Sequence, residues 1–323
     1  TAATFPGSGA TANGYIILRR QDGTNPTTSG VVDGSDPASL SLPGGTTLVT
    51  TITTGATVAY NNTGLSVNQQ YNYLIIPFTW DNANGATYNY YLTNAPAANA
   101  TTPDATLASD YFQTAASGNV NATATWQSSH NGVTWISATA TPTSSANTIT
   151  VLTGNTLTIN TSITLDQLII NNGGTVAVST SQTLTVNDGS GTDLQVDGTL
   201  TNSGTVTLDG SATAAFSATG IYNHNVNGVG SNITASSNTT WDATSNFNVT
   251  GWTSSTNAGL LSGTVTYGNF KWDNASQTTT DNLQLTTVHF AGNFWIHNTN
   301  GTNGIRMNNG GTTLTIDGDL IID

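Results

Sequence analysis

From about residue 145 onward, apolar and polar positions alternate in short bursts set between turn residues. Asn155-Thr156-Leu157-Thr158-Ile159, Gly174-Thr175-Val176-Ala177-Val178, Gln182-Thr183-Leu184-Thr185-Val186, Gly198-Thr199-Leu200-Thr201, Gly204-Thr205-Val206-Thr207-Leu208, Gly263-Thr264-Val265-Thr266-Tyr267 and Thr313-Leu314-Thr315-Ile316 share one form. Each is a turn residue, Thr, an aliphatic residue, a small polar or small residue, and commonly a second apolar residue. Side chains of a strand point alternately to its two faces, so the aliphatics are predicted inward and the threonines outward. Corresponding positions recur about 18 to 20 residues apart at first, which suits one coil of a parallel β-solenoid with two or three strands. Past about Gly220 the repeat blurs and Trp241, Phe247, Trp252, Phe270, Trp272, Phe290, Phe294 and Trp295 enter. Wider, less regular coils are expected there.

The first hundred residues carry a different pattern, that of an antiparallel sandwich. Gly14–Arg20, Thr47–Ile52, Ala56–Tyr60 and Tyr71–Phe78 read as strands, and Asp22-Gly23 as a turn. Gly64-Leu65 followed by Tyr71, at the head of a strand alternating aromatic and aliphatic residues, is the tyrosine-corner arrangement of Ig-like sandwiches. Residues 94–109 hold Pro96, Pro103 and several alanines without a period and read as a linker. Tyr111-Phe112, Ser117-Gly118-Asn119, Trp126 and Trp135 form an aromatic-rich entry, expected to cap the open end of the solenoid.

Composition supports strands over helices. All 17 acidic residues are Asp, Glu is absent, and Lys271 is the sole lysine, so the usual fillers of exposed helix are missing. Only 7% of residues are charged; solubility must rest on Thr, Ser and Asn. With four cations (Arg19, Arg20, Lys271, Arg306) against a net charge of −13, the chain is unsuited to nucleic acid or anionic membranes. Having no cysteine removes disulfides and thiol chemistry and is compatible with export. No apolar run approaches the roughly 20 residues of a spanning helix, so direct membrane insertion is not expected.

Candidate chemistry is thin. Asp-Gly pairs stand at Asp22, Asp33, Asp188, Asp197, Asp209 and Asp317, and Asp188, Asp193, Asp197 and Asp209 are close enough in sequence to share one side of adjacent coils. Grouped carboxylates serve acid and base work in glycosidases, while Asp-Gly also simply makes turns. Asp22, Asp33, Asp36, Asp188 and Asp193 are candidate ligands for a structural Ca²⁺, which takes 6 to 8 oxygens. His130, His224, His289 and His297 are scattered, and no catalytic set is assigned. Trp241, Trp252, Trp272 and Trp295 offer either a sugar-stacking surface or an aromatic core. The Thr-x-Thr pairs at 156/158, 183/185, 199/201 and 205/207 superficially fit an ice-binding rank, but separations of 27, 16 and 6 residues argue against one rank per coil.

The order of three motifs resembles the fibronectin type III domains of very large surface proteins of Bacteroidetes: a Gly-Tyr-aliphatic-Arg strand (Gly14 to Arg20), a Val-Asp-Gly loop (Val32-Asp33-Gly34) and a Gly-Leu-x5-Tyr-x-Tyr strand (Gly64 to Tyr73). The terminal hairpin is similar at Trp80-Asp81 through Thr93, and the entry at Phe112 to Trp126 is similar to the one that introduces a β-helix in those proteins. A fibronectin-type sandwich needs two further strands ahead of Tyr15, and Thr1 to Asn13 does not read as supplying them. The sandwich is therefore expected to be truncated, its missing strands lying upstream or donated by another molecule. The resemblance implies export and attachment to the bacterial outer membrane, through a signal outside this segment.

The expected fold is all-β: a truncated fibronectin III/Ig-like β-sandwich (1–102), a linker and solenoid cap (103–145) and a right-handed parallel β-helix (146–323) continuing beyond Asp323. The expected function is non-enzymatic, a fragment of an adhesin or filament component at the cell surface or outside the cell. It needs no cofactor unless a structural Ca²⁺. Its partners would be other surface proteins, further copies of itself or extracellular polysaccharide. The alternatives are a secreted carbohydrate-binding or polysaccharide-degrading β-helix protein, and a self-assembling fibre subunit completed by strand donation.

Overall fold

The computed structural model describes residues 13–54, 59–254, 259–283, 285, 287–301, 303–307 and 313–323. The expected strand Ala56–Tyr60 lies mostly outside the described residues, as does all of Thr1 to Asn13 except Asn13. The described regular structure is strand, apart from 3-10 turns at Pro37–Ser39, Gly85–Thr87 and Thr123–Thr125. The chain divides into two compact units, Thr1–Ala105 and Thr106–Asp323.

In the first unit, β1 (Gly14–Arg20) lies between β2 (Thr47–Ile52) and β3 (Gln70–Thr79), and β3 also pairs with β4 (Asn89–Tyr90) and β5 (Ala97–Thr101), all antiparallel. Ala97–Thr101 falls in the stretch expected to be a linker. Its small side chains carry no period, but its backbone pairs with β3 from Gln70 to Leu74. Ile16, Leu18, Leu74, Ile76 and Phe78 share one face of the sheet, and Val31, Tyr88 and Tyr90 close over it. The Val32-Asp33-Gly34 loop is pinned to the terminal hairpin, since Tyr90 N–H donates to Asp33 Oδ1 (2.7 Å) and Gly34 N–H to the Tyr88 carbonyl (2.7 Å). The tyrosine-corner hydrogen bond is present: Ser66 N–H donates to the buried Tyr71 hydroxyl at 2.9 Å. These strands form a single sheet, and a second sheet to complete a sandwich is not among the described residues.

The second unit opens with β6 (Tyr111–Thr114), β7 (Gly118–Asn119), β8 (Trp126–Ser129) and β9 (Ile136–Ser137). β6 joins the solenoid in parallel on one edge but pairs antiparallel with β8 on the other, and β8 with β9, so the parallel stacking stops there. Trp126 plugs this end, buried against Phe112 with its Nε1–H donated to the Val120 carbonyl at 3.0 Å.

Each regular coil then contributes three strands to three parallel sheets. The first coil is β10 (Thr148–Val151), β11 (Thr156–Ile159) and β12 (Ile163–Leu165). The second is β13 (Leu168–Ile170), β14 (Thr175–Val178) and β15 (Thr183–Val186), and the third β16 (Leu194–Val196), β17 (Thr199–Asn202) and β18 (Thr205–Leu208). The long sheet begins at β7, runs through β11, β14 and β17, and continues as Ile221–His224, Asn246–Val249, Asn269–Asp273, Phe294–Asn298 and Leu320–Ile322. Its register gives the coil lengths: 19 residues from Thr156 to Thr175, then 24 to Thr199, 22 to Ile221, 25 to Asn246 and 23 to Asn269. Only the first coil has the expected length; later ones lengthen in the loops between strands, where no side-chain period constrains them.

Alternate residues of the long sheet point inward, as the pattern required. Leu157, Val176, Leu200, Tyr222, Phe247, Phe270 and Phe294 form one stacked interior rank, all buried. The residue ahead of each long-sheet strand sits at a crowded corner. There the next coil's first strand N–H reaches back to the carbonyl of Gly174, Gly198 or Gly220, and a Cβ on Gly198 or Gly220 would run into backbone carbonyls of the coil before. The Gly-Thr-aliphatic signature is thus a corner followed by a strand.

Candidate functional site

The carboxylates singled out in the sequence are bound to their own turns. Asp22 is ion-paired with Arg20 and accepts from the Thr24 N–H and hydroxyl, which hold its carboxyl well below the usual range. Asp33 holds Tyr90, and Asp36 caps the Pro37–Ser39 turn through the Ala38 N–H at 2.9 Å. Asp193 is fully buried; it accepts from Gly189 N–H (2.8 Å), Gln167 Nε2 (3.3 Å), Thr213 N–H (2.7 Å) and the Thr213 hydroxyl (3.0 Å). It clamps two successive coils together. Among the described residues no three or more His, Cys, Asp or Glu side chains form a group able to hold a metal ion, and Asp188, Asp197 and Asp209 do not gather with Asp193 into one.

Asp166, which the pattern did not single out, lies beside Asp193. Burial, and then the neighbouring carboxylate, raise it, while the Gln167 N–H on its Oδ1 (2.8 Å) opposes the rise. The signal was absent from the sequence because the two residues are 27 apart and meet only when coils stack.

Histidines separate by burial. His224 is inside the solenoid next to Asn202 in the register of the long sheet. Its Nε2–H donates to the Gly228 carbonyl at 2.7 Å, which makes Nδ1 the acceptor facing the Tyr222 hydroxyl (3.4 Å), and that hydroxyl receives Asn202 Nδ2 at 3.1 Å. Burial pushes the His224 imidazole down to about 4, against the pull of the Gly228 carbonyl. His130 pairs with buried Asp110 at 2.5 Å in the cap, and His289 with Asp317 at 2.9 Å.

The tryptophans also separate. Trp241, Trp252 and Trp272 are buried, and Trp241 stacks on Phe216 at 3.9 Å with the rings 2° from parallel. Trp295 alternates with buried Phe294 and stands on the outer side of the long sheet, opposite Lys271 in one coil and Ile321 in the next. Lys271 Nζ lies 4.4 Å from the centre of the Trp295 ring and 2.9 Å from Asp273 Oδ2. Trp295 Nε1–H donates to Asp323 Oδ2 at 2.9 Å, His297 Nδ1 lies 3.0 Å from the same oxygen, and the His297 ring meets the indole edge-on at 4.9 Å. The His297 and Trp295 hydrogen bonds hold the Asp323 carboxyl below its ordinary range.

This cluster ends an outward column that runs the length of the sheet: Thr158, Ala177, Thr201, Asn223, Asn248, Lys271, Trp295. Within it Asn223 Nδ2 reaches Thr201 Oγ1 (3.3 Å) and Asn248 Nδ2 reaches Asn223 Oδ1 (3.0 Å). The Thr-x-Thr pairs do stack, contrary to the spacing argument, but on two sheets. Thr156/Thr158 and Thr199/Thr201 flank Thr175/Ala177 on the long sheet, and Thr183/Thr185 faces Thr205/Thr207 on the third. The residue separations mixed two faces of one coil.

Fold and surface together define an all-β protein whose second unit is a β-solenoid. No protein-family model, no curated protein and no solved structure matches the chain.

Proposed function

We propose that the chain is a non-enzymatic structural or adhesive protein of the bacterial cell surface or extracellular space. A fibronectin III-like sandwich, of which the first unit's sheet is one half, would lead into a right-handed β-helix, the hand that right-twisted strands favour in parallel crossovers. The observation that carries this reading is the use made of the carboxylates: Asp22, Asp33, Asp36 and Asp193 each bind backbone N–H groups that shape a turn or a coil junction. A rod of stacked coils with outward Thr and Asn ranks is suited to projecting from a surface and binding along its length. The resemblance to Bacteroidetes surface proteins supports export and outer-membrane attachment. Its partners would be extracellular polysaccharide, other surface proteins or further copies of itself.

Incubating the purified chain with a panel of plant and microbial polysaccharides, and following reducing ends and unsaturated products, is expected to show no turnover. Turnover that disappears on replacing Asp166 or Asp193 by Asn, with the coils still folded by circular dichroism, would falsify the non-enzymatic reading.

A further inference from the structure

We infer that the outer face of the long sheet binds a neutral polysaccharide, with Trp295 at the centre of the site. The inference rests on the adhesive reading above and names its ligand class. Three independent features lead to it.

Trp295 is a large aromatic placed on a solenoid surface otherwise built of Thr and Asn, while Trp241, Trp252 and Trp272 are core. It is also held in place from several sides. Asp323 fixes the indole N–H, Lys271 sits over the ring and His297 packs on its edge. A pre-ordered aromatic with a polar rim gives a pyranose what it needs, an apolar surface for its C–H face and partners for its hydroxyls.

The rim has both donors and acceptors. Asp273 and Asp323 accept, the Lys271 ammonium donates, and His297 and the Asn248 amide do either according to tautomer and orientation. Vicinal hydroxyls each donate and accept, so a mixed rim of this kind suits them better than it suits an ion.

Charge then selects among glycans. The site's carboxylates are matched by Lys271 and His297, and the chain as a whole carries −13 with only four Lys and Arg residues. A uronic-acid polymer would be repelled, and a neutral chain would not. The column from Thr201 through Asn223 and Asn248 to Lys271 advances one coil at a time, about 4.8 Å per step, and extends the site along the rod beyond a single sugar.

The test is calorimetry and affinity electrophoresis of the full chain against cellohexaose, mannohexaose, maltohexaose and β-1,3-glucan hexaose, with hexagalacturonate as the acidic comparison. At least one neutral hexasaccharide is expected to bind, with little dependence on salt. Trp295→Ala is expected to weaken it by about tenfold or more, and Asn248→Ala by a smaller factor. Trp295→Phe, which keeps an aromatic surface, is expected to retain most of the binding. His297→Ala provides a second, exposed change at the rim should Trp295→Ala disturb the strand. No binding to any neutral hexasaccharide, binding indifferent to both Trp295→Ala and His297→Ala, or preference for hexagalacturonate would each overturn the site. The polysaccharide-turnover assay is independent of these outcomes, so the site and the non-enzymatic reading fail separately.

Discussion

The two ends of the solenoid's long sheet share one backbone plan and differ in what fills it. In the early coils the interior ranks are Leu157, Val176, Leu200 and, two residues on, Ile159 and Val178. In the late coils the same ranks become Tyr222, Phe247, Phe270, Phe294 and Val249, Trp272, Ile296. The strand spacing is fixed by backbone hydrogen bonds, so larger side chains can be accommodated only across the coil. The connections lengthen accordingly, and aromatic rings lock face to edge, as Tyr222 on Phe247 (5.3 Å) and Phe247 on Phe270 (5.3 Å) do. Between the two regimes stands a buried polar layer, Asn202, Tyr222 and His224. The early coils keep the sequence repeat and the late ones keep only the strand register.

The difference predicts unequal sensitivity. Phe247→Ala, in the aromatic rank, is expected to cost about 3–5 kcal/mol, whereas Ile170→Val in the aliphatic region is expected to cost about 0.5–1.5 kcal/mol. Hydrogen exchange resolved by coil is the suitable measurement, because stacked coils need not unfold as one unit. Equal losses of protection in the two variants would mean that the aromatic coils are no more tightly interlocked than the aliphatic ones.

The polar layer should make the junction acid-sensitive. His224 binds its proton at about 4 when folded and near its ordinary 6.5 when unfolded, so between these values the unfolded chain holds more protons. Stability contributed by the neutral imidazole is present above pH 6.5 and is lost as pH falls from there towards 4, by about 3 kcal/mol in total. Aspartates titrate in part of the same window, so the diagnostic quantity is a difference. The wild type minus His224→Phe should show falling protection of the 199–228 coil from pH 6.5 to 4. A pH-independent difference would remove His224 as the cause.

Corners and faces give the smaller effects. Gly198→Ala brings a Cβ onto the carbonyls of Asn171 and Gly174 and is expected to cost about 1–3 kcal/mol. Thr201→Ala on the outer face is expected to stay within about 0.5 kcal/mol, as read from the denaturation midpoint. If the corner variant were as mild as the face variant, the glycines would be there for turn flexibility and not for close approach.

Much of this was legible from one strand at a time. The alternation in Thr156-Leu157-Thr158-Ile159 states which side chains are buried, and the glycine ahead of Thr175, Thr199 or Ile221 marks the corner. The tyrosine corner at Tyr71 was legible for the same reason, its partner Ser66 being five residues away. What was misread depended on which strands lie side by side. The Thr-x-Thr pairs were counted along the chain and not by sheet, and Ala97–Thr101 has no side-chain pattern to reveal that its backbone completes a ladder.

The sequence by itself determined the class of the protein. A chain with no Glu, one Lys and a two-residue period has few helical options, and local alternation settles which face of each strand is inside. Only the tertiary structure decided which surface residues meet. Coil lengths vary from 19 to 25 residues along the Thr156 to Asn269 register, so Lys271, Trp295 and Asp323 become neighbours through stacking and not through spacing. The burial of one tryptophan and the exposure of another likewise follow from the strand phase at each position, which the side chain itself does not reveal.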